Sequence, residues 1–80
     1  MDEDKLVRIY VENLIIEETY ISNPDSLIIK KEILYKKFNT TKENFEKELI
    51  KLGSDREKWE GFFNKSRALL EDLRKSGAIS

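Results

Sequence analysis

The sequence predicts an all-α fold, a compact bundle of three to four short helices. Three observations carry that prediction: apolar residues recur at helical spacing in four successive stretches, cap and turn residues separate the stretches, and the connections are only a few residues long. The 80 residues make a single domain, 1–80, near the lower end of the range that folds without metal or disulfide support. Such a chain needs an efficient core.

The first helix, about 5–21, is where the apolar surface concentrates. In Leu6 to Ile21, LVRIYVENLIIEETYI, one line is formed by Leu6, Tyr10, Leu14 and Ile21. Val7 and Val11 flank it on one side, and Ile9, Ile16 and Tyr20 on the other. Ile15 sits almost opposite Leu6, and only Arg8, Glu12 and Asn13 clearly interrupt the belt. A single neighbouring helix cannot hide that much surface, so two neighbours are required, from the same chain or from a second copy. Asp2 or Asp4 is positioned to cap the amino end.

A second helix, about 25–38, follows the break Ser22-Asn23-Pro24, where Asn23 can cap and Pro24 can take the first helical position. Leu27, Leu34 and Phe38 form its narrowest apolar line, with Ile28 and Tyr35 adjacent and Lys30, Lys31 and Lys37 reaching solvent. Ile29 and Ile33 add a second apolar flank, which makes this helix, like the first, a central piece of the bundle or part of an intersubunit surface.

Thr40 with Glu43 is a capping box for the third helix, about 41–52, and Thr41 with Asn44 is the alternative frame. Phe45, Leu49 and Leu52 point inward with Ile50 at the margin, and Glu43 with Lys47 supplies a surface pair. Gly53 is placed to end that helix in the left-handed conformation, and Ser54 with Glu57 repeats the capping-box spacing. The last helix, about 55–75, carries the strongest stripe: Trp59, Phe62, Phe63, Ser66, Leu69, Leu70 and Leu73, with Arg74 and Lys75 at its carboxyl end and Gly77 as the stop. The short third helix fits an accessory to a three-helix core. Pro24 and Gly53 interrupt any long coiled-coil register.

Composition narrows the chemistry. With no cysteine or histidine, the chain has no disulfide, no thiol or imidazole catalysis and none of the usual soft-metal ligands. Ser26 and Lys30 are a turn apart and could form a nucleophile and base only in a desolvated pocket; first-turn and solvent-facing roles explain them better. Glu17 and Glu18 are adjacent in sequence and so diverge on a helix. With no phosphate cradle or calcium loop either, the sequence predicts no enzyme, no catalytic residue, no metal and no cofactor.

The net charge of −1 gives no overall attraction toward nucleic acid or an anionic membrane. Its distribution is uneven, because residues 1–25 hold two basic and seven acidic side chains, a net of −5 that the rest of the chain offsets with +4. That polarity suits an oriented encounter or an antiparallel self-contact. No apolar run is long enough to cross a bilayer, and the acidic MDEDK start is unlike a signal peptide.

The order LVRIYVENLIIEETYI, LYKKFNTTKENFEKEL, DREKW and a leucine-containing last helix resembles a small helical domain of unknown function found in bacterial envelope lipoproteins. The resemblance covers roughly residues 5–73, with Tyr35, Phe38, Thr41, Phe45 and Leu49 matching its middle pattern most closely. It implies an extracytoplasmic domain carried on an amino-terminal lipid, hence a bacterial cell-envelope location; without it the expected address is cytoplasmic. This sequence lacks the lipid-bearing cysteine, so the anchor that the resemblance implies would belong to a longer precursor. The matched residues cap and pack helices and bring no catalytic group with them.

The functional expectation is a noncatalytic helical protein-interaction or structural module, self-association included. Its contact face is expected at Ile9, Ile15, Ile16 and Ile29, with Lys30 and Lys37 orienting a protein partner. The alternative is nucleic-acid backbone binding through Lys30, Lys31, Lys37 and Lys42, with Tyr35 available for stacking. A peptide or lipid pocket at Trp59, Phe62 and Phe63 competes with a core role for the same residues.

Overall fold

A computed structural model describes residues 1–77, which form four helices: α1 (Glu3–Thr19), α2 (Pro24–Lys37), α3 (Lys42–Gly53) and α4 (Arg56–Lys75). α1 lies between α2 and α4, and α3 closes against α4. The extents are 34 × 30 × 20 Å, so the thin dimension is about two helix diameters. The radius of gyration, 12.9 Å, exceeds the ~11.6 Å expected of a compact chain of this length, in keeping with that flattened shape. Among the described residues no helix is long and apolar enough to cross a membrane.

Backbone hydrogen bonding decides the boundaries. Pro24 opens α2 and Asn23 accepts the Ser26 N–H at 3.3 Å, as the sequence predicts. α1 ends two residues earlier than expected: the Thr19 hydroxyl donates to the Ile15 carbonyl at 2.8 Å, and Ile21, assigned to the apolar line, sits in the turn and is 81% exposed. At the end of α2, Asn39 takes φ 55, with its N–H on the Lys36 carbonyl and the Thr40 N–H on the Tyr35 carbonyl. This left-handed closure commits the Thr40 backbone to the finished helix. Thr41 therefore caps α3, accepting the Asn44 N–H at 3.1 Å, and the Thr40–Glu43 frame is not used.

The α3–α4 junction differs in the same way. Gly53 is the last residue of α3 rather than a left-handed stop. The Ser54 hydroxyl donates to the Lys51 carbonyl at 2.6 Å and the Asp55 N–H to the Leu52 carbonyl, so the helix end is satisfied without one. With Ser54 used there, Asp55 caps α4 by accepting the Lys58 N–H at 3.2 Å. Gly77 does adopt the left-handed conformation expected of it, with φ 74.

The buried apolar core is Leu6, Val7, Ile9 and Val11 of α1, Leu34 and Tyr35 of α2, Phe45 of α3 and Phe62 of α4. Phe62 meets Tyr10 edge-on with ring centroids 5.3 Å apart, and Trp59 stacks on it at 5.7 Å. Tyr35 links α2 to Phe45 at 5.9 Å. Asn13, read from the sequence as an interruption of the belt, is buried, and its Oδ1 accepts a long 3.4 Å bond from the Tyr35 hydroxyl across the α1–α2 seam. Phe63 departs the other way: placed in the α4 stripe, it is 43% exposed, with the Arg67 guanidinium over its ring.

Burial of Phe62 predicts that Phe62→Ala costs about 3–5 kcal/mol in urea denaturation, whereas Ile50→Ala, at an exposed site, changes stability by about 0.5 kcal/mol or less. At the α1–α2 seam, Tyr35→Phe alone should cost about 1 kcal/mol because it leaves the buried Asn13 Oδ1 without its donor. Adding Asn13→Leu should recover most of that loss, and additive losses would contradict the proposed pairing.

Candidate contact surface on the second helix

α2 packs on α1 along one stripe and meets α3 where Tyr35 touches Phe45. The stripe is Leu27, Leu34, Tyr35 and Phe38. Ile28, Ile29 and Ile33 fall outside it and are 59, 55 and 54% exposed. Ile29 and Ile33 are one turn apart on the side away from α1, and Ile28 lies at the edge of the stripe. An open groove of about 720 Å³ runs from this edge to the start of α3, lined by Ile28, Lys31, Glu32, Tyr35, Lys36, Thr40, Thr41 and Lys42.

The structure redistributes the contact face expected from the sequence. Ile9 is fully buried in the core and Ile15 and Ile16 pack against the core margin, because α4 and α2 cover α1 from two sides. The broad belt on α1 is therefore a seam between helices. Ile29 alone of the four isoleucines is well exposed; Ile33, read with it as a second apolar flank of the bundle or of an intersubunit surface, is exposed one turn away, and Ile28, read as adjacent to the apolar line, is exposed as well. The signal was present in the sequence as the second apolar flank of α2; what it lacked was the number of helices packed on α2.

Charges on α2 divide by face. Toward α1, Lys31 meets Glu17 at 2.7 Å and Lys37 meets Glu12 at 3.3 Å. Away from α1, Asp25, Glu32 and Lys36 are exposed and form no ion pair among the described residues. The Lys30 ammonium lies over the Tyr20 ring, 5.9 Å from its centre, and makes no hydrogen bond to Ser26 among the described residues. Of the lysines considered for a nucleic-acid backbone, Lys31, Lys37 and Lys42 all lie against carboxylates, Lys42 with Glu46 at 4.0 Å.

Other concavities are smaller, two of them beside the aromatic residues of α4. A cleft between α1 and α4 of about 220 Å³, lined by Tyr10, Leu14, Phe63, Ser66, Arg67 and Leu70, falls below the ~300 Å³ at which small-molecule pockets begin. A depression of about 330 Å³ beside Trp59 and Phe63 is shallow, since Trp59 is half-buried on Phe62. No three His, Cys, Asp or Glu side chains among the described residues are grouped to hold a metal ion. Comparison with protein-family models, curated proteins and solved structures finds no match to this chain.

Exposure of the α2 isoleucines predicts that Ile29→Asp and Ile33→Asp each leave the urea midpoint of dilute protein near that of the parent, within about 0.5–1 kcal/mol. Ile9→Asp, which buries an unpaired carboxylate, should prevent folding as judged by circular dichroism.

Proposed function

We infer that this domain is a noncatalytic helical interaction module whose contact surface is the outer face of α2. One observation carries the reading: Ile29 and Ile33, each more than half exposed, lie one turn apart on the outer face of α2, with equally exposed Ile28 at its edge, in a domain with only eight buried apolar side chains among its described residues. A scattered exposed isoleucine, such as Ile50, needs no explanation, but an adjacent pair with a third beside it marks a contact site. Lys30 and Lys36 at the rim of that face suit it to a protein surface with a polar edge. The Lys30 ammonium is solvent-exposed over the Tyr20 ring and makes no hydrogen bond to Ser26 among the described residues, which favours a binding role over chemistry.

A photo-crosslinking residue at position 29, introduced into the chain in its producing cells, should give protein adducts several-fold more abundant than the same residue at position 46, on the exposed side of α3. Equal yields at the two positions would contradict the reading.

A further inference from the structure

The outer face of α2 has an order that selects its occupant. Asp25 stands in its first turn and Lys36 in its last, with Ile29, Glu32 and Ile33 between them. Neither charge has an ion-pair partner among the described residues, whereas the charges on the α1 side of the same helix are paired. A helix face acidic at one end and basic at the other joins opposite charges at both ends when reversed, against one like-charge contact where Glu32 of each copy nears the middle. Reversal also sets the positive amino end of each helix beside the negative carboxyl end of its mate.

We propose that the partner of this face is a second copy of the chain, joined by an antiparallel α2–α2 contact about a twofold axis near the middle of the helix. This rests on the reading of α2 as the contact surface and adds the identity of what binds there. The axis puts Asp25 of each copy level with Lys36 of the other and brings the two Ile29–Ile33 pairs together. α2 has 14 residues and is about 21 Å long, so one such face covers less than the ~800 Å² per partner of a standard interface. The association is therefore weak and concentration-dependent.

Sedimentation of the full chain up to about 1 mM tests it. The mean mass should climb from that of the monomer, 9.5 kDa, toward twice that value, and Ile29→Asp should hold it at the monomer. Asp25→Lys and Lys36→Asp should each weaken self-association about tenfold, and an equimolar mixture of the two variants should pair as strongly as the parent. Circular dichroism and the urea midpoint establish that each variant is folded.

A parent that stays monomeric at about 1 mM overturns the proposal, as does a dimer indifferent to the charge reversals. Binding of the monomer to phosphatidylglycerol vesicles through Ile29, without self-association, also overturns it in favour of a lipid surface. Adducts at position 29 only to a different protein would remove the second copy while leaving the contact surface standing. Absence of adducts specific to that position would remove both.

Discussion

Burial of α1 from two sides is the constraint that the other helices satisfy. Ile9 and Val11 project about 160° apart on a helix, yet both are completely buried. No single neighbour can do that, so α2 and α4 must both lie on α1, and the bundle has α1 as its middle member. Once α1 occupies the centre, α2 is left at an edge with one face covered. The exposed isoleucines of α2 are thus the counterpart of the complete burial of α1.

The charge asymmetry of the chain is spent largely on that arrangement. The carboxylates of α1 that flank its apolar belt are met by cations from its neighbours: Glu12 by Lys37, Glu17 by Lys31, Glu18 by Arg74 at 2.8 Å and Glu3 by Lys65 at 3.4 Å. Most of these pairs are solvent-exposed and each is worth about 1 kcal/mol or less, so they orient the helices more than they hold them. The buried Asn13–Tyr35 contact serves the same end at the α1–α2 seam, because sliding α2 along α1 would leave the asparagine without its one partner. Asp25, Glu32 and Lys36 lie outside this scheme and give the outer face of α2 its own polarity.

The helices and their order were legible because periodicity and caps are local. Pro24 with Asn23 and the stripe of Trp59, Phe62 and Ser66 needed no tertiary information. The choice between adjacent caps was not legible: Thr40 and Thr41, like Ser54 and Asp55, compete for one role, and the winner depends on which backbone groups the preceding helix end has already engaged. The contact face was the least legible feature. Ile9 and Ile29 are both isoleucines on apolar helices, and only the number of neighbours packed on each helix separates a core residue from an exposed one. The sequence correctly required two partners for α1, but it could not say that one chain supplies both and thereby leaves α2 uncovered.

Isoleucine methyl groups report most directly on this division of surface. In a dilute, isoleucine-labelled sample containing a soluble paramagnetic agent, the methyl signals of Ile28, Ile29 and Ile33 should relax strongly, that of Ile9 should be nearly unaffected, and those of Ile15 and Ile16 should lie between. Strong relaxation of Ile9 together with protection of the three α2 isoleucines would mean that α1 is not the covered centre of the bundle and that its surplus apolar surface lies elsewhere.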